Sequence, residues 1–237
     1  MKPLLPLSLA ALLAIACAGD AQADYLYVNK KLRSKTVSIR KAVMLPAQVS
    51  FAKVGVKGSE GGMEEGERLA ASFYSSLTGE LTLRGVTVLP NPQEQAKDDA
   101  TKYAIADLQG RFDSIRLQLR RKPGRVTKGE VTLDDRVAKF EPGATADVLV
   151  FMRGEGIIST PGRTAMRIVA LGWLGLLMEI EFRGDVTFVD ARSGEVLALL
   201  KLEKNRHMNR ESDRRFSRAF REAFRDLPFP SPAPKGK

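Results

Sequence analysis

Cysteine occurs once in these 237 residues, at position 17. No disulfide can therefore form within the chain, and whatever folds must be held together by a packed apolar core. The length and the 43% hydrophobic share supply enough material for one well-buried domain or two small ones.

The first 23 residues have the layout of a bacterial export signal. Lys2 gives a short positive start, Leu4 to Ala16 is an apolar run broken only by Pro6 and Ser8, and Ala21-Gln22-Ala23 forms a small-residue exit before Asp24. The run is shorter than the ~20 apolar residues that a spanning helix needs. Two processing readings stand side by side. Cleavage after Ala23 would release a soluble chain beginning Asp24-Tyr25. Cleavage before Cys17 would use Leu13-Ala14-Ile15-Ala16-Cys17 as a relaxed lipobox and leave Cys17 lipidated. Both predict a periplasmic or outer-membrane location in a Gram-negative bacterium. The net charge of +10 then points to anionic envelope neighbours such as headgroups or wall polymer, and away from nucleic acid.

Residues 24–41 are polar and basic and read as a tether or edge segment. Ala42 to Val54 predicts a strand that bends at Pro46. Residues 55–66 hold five glycines and read as a flexible loop. A phosphate cradle is excluded there because the Lys-Ser/Thr ending is missing and Glu60, Glu64 and Glu65 would repel the ligand. Leu69, Phe73, Leu77 and Leu81 predict an amphipathic helix over 64–83, and Val86 to Leu89 a short strand after it, giving a parallel β-α-β start. Ile105, Leu108, Phe112, Ile115 and Leu119 predict a longer helix over 98–121 with a basic end. Thr132 to Phe140 reads as a short helix with a Thr132-x-x-Asp135 capping start. Ala146 to Gly154 predicts a central strand covered on both faces. A hairpin over 183–203, turning at 190–195, and a helix over 212–227 complete the pattern. Residues 228–237 read as a disordered Pro-rich tail. The fold class is thus α/β, with an α+β variant as the alternative: a mixed sheet of about four to five strands flanked by helices, forming one domain over 42–227.

Chemistry is hard to find in this sequence. His207 is the sole histidine, and no cluster has metal-ligand spacing. Asp134-Asp135 as a working carboxylate pair is less natural than helix capping. We expect no catalytic residue, no cofactor and no metal. Two surfaces remain. The uncharged residues 168–178 are either core or a membrane- or partner-touching loop built from Leu171, Trp173, Leu174, Leu176 and Leu177. The last helix carries Arg214, Arg215, Arg218 and Arg221 beside Phe216, Phe220 and Phe224, and could lie on an anionic membrane surface.

Val186 to Leu199 (Val-Thr-Phe-Val-Asp-Ala-Arg-Ser-Gly-Glu-Val-Leu-Ala-Leu) resembles a strand pair of a group of envelope lipoproteins. The group includes the curli-secretion lipoprotein, the penicillin-binding-protein activator lipoproteins and the amino-terminal domain of the Tol-system translocation protein. The order Ala42-Val43-Met44-Leu45-Pro46, helix, Gly85-Val86-Thr87-Val88, Gly143-Ala144-Thr145-Ala146-Asp147, hairpin and last helix also matches. The resemblance implies an α/β domain with a mixed sheet. It also implies a non-enzymatic accessory in secretion, assembly or wall-enzyme activation, contacting an envelope protein or its own copies. The alternative is a soluble module that binds an anionic polymer or lipid headgroups through the last helix.

Overall fold

Val148 to Met152 are all buried, because the strand they begin has helices over both faces. The computed structural model describes residues 25–55, 58–61, 63–159, 180–206 and 212–229. Its strands are β1 (Tyr25–Val28), β2 (Lys41–Met44), β3 (Gln48–Gly55), β4 (Gly58–Gly61), β5 (Thr87–Leu89), β6 (Val148–Ser159), β7 (Ile180–Asp190) and β8 (Val196–Arg206). The helices are α1 (Lys30–Arg33), α2 (Met63–Leu83), α3 (Pro92–Gln95), α4 (Asp99–Arg121), α5 (Gly124–Lys128) and α6 (Ser212–Ala223).

These strands form one open mixed sheet in the order β1-β8-β7-β6-β2-β5, with β3 on the far half of β6 and β4 on β3. The β2–β5, β2–β6 and β3–β6 pairs are parallel, and the other pairs are antiparallel. The β2-α2-β5 start is the expected parallel unit. On one face, Phe73 and Leu77 of α2 and Phe216 and Phe220 of α6 pack over Val148, Val150 and Met152. On the other, Ile105, Leu108 and Phe112 of α4 cover Leu149 and Phe151. Alternate side chains of one apolar strand thus feed two cores, which is the three-layer α/β arrangement.

The sheet has more strands than the four to five expected, for three local reasons. Residues 25–41 are, of the two readings, the edge segment and not a tether: β1 pairs with β8 at the sheet edge, and Leu32 and Ile39 are buried. Gly58–Gly61, expected within a loop, pairs with β3. Pro46 breaks one long strand in two. Met44 lies opposite Val150 and Gln48 opposite Arg153, so four residue steps answer three across a one-residue bulge. Around Thr132 the expected cap is also corrected. Thr132 bridges to Glu195, and the side chain of Asp134 accepts from the Arg136 N–H to start a 3-10 turn over Asp135–Lys139. Of the residues read as a Pro-rich tail, Phe229 packs on Phe224 with ring centroids 5.6 Å apart.

The β7–β8 turn ties down the amino-terminal segment. Asp190 accepts from the backbone N–H groups of Arg192 and Ser193, and Glu195 accepts from Asn29 and pairs with Lys31. Gly194 has φ 71°, and a Cβ there would lie 2.3 Å from the Asp134 carbonyl oxygen. Gly194→Ala should therefore lower the unfolding free energy by about 1–3 kcal/mol, since the left-handed backbone and the clash add. A urea melt of the parent and the variant reads this directly.

Candidate functional site

The apolar stripe of α4 is flanked by a polar one: Gln109, Asp113, Arg116 and Arg120 recur at helical spacing. Beneath them the same strands that supply the core turn polar. Arg153 and Glu155 continue the alternation of Leu149 and Phe151 on β6, and Arg153 lies opposite Asp185 of β7. Asp185 in turn lies opposite Lys201 of β8. A charged row therefore crosses the sheet where the core under α4 ends.

Each charge in this row has assigned neighbours. Arg153, only 3% exposed, donates from Nε to Asp113 at 2.7 Å and from Nη2 to the Gln109 carbonyl at 3.1 Å. Its guanidinium carbon sits 5.1 Å from the Phe112 ring centroid. Burial pushes this guanidinium below its ordinary value, and Asp113 opposes that. Arg116 donates to Asp185 at 3.0 Å and to Glu155 at 3.0 Å, and Arg120 also pairs with Glu155. Burial pushes the Asp185 carboxyl up, against the pull of Arg120 and Arg116. Its second oxygen is buried without a hydrogen-bond partner among the described residues. Burial also works against the charged form of Glu155, but Arg120 and Arg116 hold its carboxyl below the usual range.

A cleft of about 580 Å³ opens beside this row, between the start of α2 and the middle of α4. Gln48, Ala70, Asp113, Arg116 and Arg153 are among its walls. A second hollow of about 430 Å³, lined by Ile157 and Arg183, adjoins it at Ser50. The bulge creates the opening. Pairing with β5 stops at Val43 and pairing with β4 begins at Ala52, so from Met44 to Phe51 the outer edge has no strand partner among the described residues. One backbone group there is satisfied by a side chain, since Gln109 donates to the Pro46 carbonyl at 3.1 Å.

The arginines singled out in the sequence lie elsewhere. Arg214, Arg218 and Arg221 are exposed on α6 and Arg215 is half-buried. Phe216, Phe220 and Phe224 are 0% exposed, so the aromatic side of that helix is consumed by the core. The phenylalanines are thus not available to a membrane, and only the basic side of the helix faces out. Cys17, His207 and Leu171, Trp173, Leu174, Leu176 and Leu177 fall outside the described residues. Asp134 serves a cap and an ion pair with Arg111 at 2.7 Å. Among the described residues no group of three or more His, Cys, Asp or Glu gathers as for a metal, and no helix is long and apolar enough to cross a membrane.

The charged row escaped sequence reading because its partners come from four separate segments. The available signal was the change from apolar to charged at alternate positions after Phe151.

No family model matches the chain, and no curated protein matches it. Among solved structures, a neuraminyllactose-binding hemagglutinin homolog from Helicobacter pylori is similar at 10% identity, over 80% of this chain and 82% of that one, with a TM-score of 0.33. At that distance the likeness carries no argument about fold or function.

Proposed function

We propose that this chain is a non-catalytic accessory protein of the cell envelope, acting in assembly, secretion or wall-enzyme activation by holding another protein or a second copy of itself. The observation that carries the reading is the open sheet edge from Met44 to Phe51, which fronts the larger cleft. An edge without a strand partner offers its unpaired backbone donors and acceptors to an extended segment of a partner, and the cleft walls add side-chain selection. Asp113, Arg116 and Arg153 in the cleft wall are engaged in ion pairs, which suits a shaped, rigid surface more than proton transfer. The export-signal pattern of residues 1–23 and the lipobox-like approach to Cys17 support the envelope location.

Placing a photo-cross-linking residue at Gln48 in intact cells tests the contact. A cross-linked product with a second protein or a second copy is expected, and Ala70→Trp, which fills the cleft, should abolish it while leaving the thermal melt unchanged. No product, or a product indifferent to Ala70→Trp, rules the edge out. Palmitate labelling of the parent and Cys17→Ala, with fractionation, decides the anchoring. Recovery from cytosol with residues 1–23 still attached removes the envelope assignment.

A further inference from the structure

Helices α2 and α6 lie side by side and run in the same direction. Ser72 bonds to Asp213, Ser76 donates to the Asp213 carbonyl at 3.2 Å, and Arg84 donates to the carbonyls of Arg221 at 3.0 Å and Phe224 at 2.6 Å. Their inner sides are spent on the core, through Leu69, Phe73, Leu77 and Leu81 on one and Phe216, Phe220 and Phe224 on the other. Their outer sides differ in kind. On α6 and the 3-10 turn Phe224–Asp226 that continues it, the exposed positions Arg214, Arg218, Arg221 and Arg225 follow one another at spacings of four, three and four residues. That makes a row of about 16 Å at the helical rise per residue. Alongside that row, α2 exposes Ala71, Ser75, Gly79 and Thr82, which carry neither charge nor bulk; its exposed charges Glu64, Glu67 and Arg68 lie in the turns before Ala71. A Cβ added at Gly79 meets nothing within 4 Å.

We propose that this two-helix face docks on a bilayer surface containing anionic phospholipid. Charge complementarity selects the partner. Of the exposed acids of α6, Glu222 is already bonded to Arg218 at 2.9 Å and Asp213 to Ser72, and Glu80 is buried beside Arg84. Arg214 and Arg225 have no carboxylate partner among the described residues. Shape selects a planar partner over a peptide: neither of the two hollows described above is lined by a residue of α6. The small residues of α2 let a flat surface approach the arginine row along its length. With the phenylalanines locked inward, attachment rests on guanidinium–phosphate contacts at the headgroup level and not on insertion, so it is reversible and salt-sensitive. Leu83, 67% exposed at the end of α2, is a large apolar side chain at the rim of this face. The proposal concerns a different surface from the sheet-edge contact and stands independently of it.

Co-sedimentation of the purified chain with phosphatidylcholine vesicles, with and without phosphatidylglycerol, tests it at low and physiological salt. The parent should bind the anionic vesicles alone, and less well as salt rises. Each arginine near an anionic surface is worth about fivefold in partitioning, so Arg214→Gln with Arg225→Gln should weaken binding about 25-fold. Gly79→Glu places an acid within the face, and about a fivefold loss is expected. Gly110→Glu makes the same change on the exposed side of α4, where a Cβ also meets nothing within 4 Å, and should leave binding unchanged. Both glycine replacements raise helix propensity, so folding is not at risk. Absent binding to anionic vesicles, equal losses at Gly79 and Gly110, or an unaffected double arginine variant would each overturn the proposal. So would equally tight binding to soluble polyglutamate with the same losses, which would mark an acidic polypeptide as the occupant. Vesicle binding is read on purified protein, so its failure leaves the cellular location and the cleft contact to their own tests.

Discussion

Replacing Phe182 by alanine is expected to cost about 3–5 kcal/mol of stability, at the upper end for a large-to-small change. The ring is fully buried, with Phe216 5.2 Å away edge-on, Phe73 5.7 Å away edge-on and Phe51 stacked at 6.1 Å, centroid to centroid. Its floor is what makes it special. Gly154 and Gly184 lie opposite each other on β6 and β7, and Cβ atoms built on them would come within 2.6 Å and 2.9 Å of this ring. A cavity left by Phe182 has glycine backbone on one side, which has no side chain to collapse into it. The same geometry sets a second expectation. Gly154→Ala alone should cost about 1–3 kcal/mol, because the three neighbouring phenylalanines prevent the ring from retreating. In the Phe182→Ala background the added methyl enters vacated space, and its cost should vanish or reverse. A double-mutant cycle by chemical denaturation measures that coupling. Simple additivity of the two changes would show that the ring and the glycines are not the source of either cost.

The two long helices were legible because their apolar spacing is set locally: Leu69 to Leu81 at intervals of four, and Ile105 to Leu119 at three and four. The β7–β8 hairpin was legible for the same reason, its turn chemistry being contained in Asp190 to Glu195. What escaped depends on partners far along the chain. Gly58–Gly61 has no strand-like composition and is extended only because β3 lies beside it. Tyr25–Val28 read equally as tether or edge segment, and only β8, more than a hundred residues later, decides for the edge. Pro46 announced a bend, yet only the register against β6 shows that the strand resumes with one extra residue and leaves an open edge. For α6 the sequence separated an aromatic from an arginine side correctly. Which of the two would be spent on the core was decided by α2. Arg116 and Arg120 illustrate the same limit. Cations at a helix end have a local rationale, which hid the fact that a carboxylate on β7 lies under them.

That carboxylate yields the second large effect. Arg116→Met with Arg120→Met should lower stability by about 3–5 kcal/mol at neutral pH, because it strips the buried Asp185 of its two ion-pair partners and leaves only the weaker pull of Lys201 and Arg153. Methionine keeps an unbranched apolar stem, so lost packing is a minor part of the change. The pH dependence separates charge from packing. Burial already pushes Asp185 up, and removing the arginines raises it further. A carboxyl with a folded value above its unfolded one contributes stability below the ordinary carboxylate value, near pH 4, and loses it as pH rises through the folded value. Glu155 acts in the same sense on the comparison. The parent gains from its lowered value above the ordinary carboxylate range, and the variant forfeits that gain. The deficit of the double variant should therefore be smallest in acid and widen toward neutrality. Adding Asp185→Asn should recover much of it at neutral pH, since the amide has no charge to strand. A deficit equal in acid and at neutrality, or a triple variant no more stable than the double, would mean that the arginines act by filling space. α4 would then be held on the sheet by its apolar residues Ile105, Leu108, Phe112 and Leu119, and the row beside the cleft would be incidental to the fold.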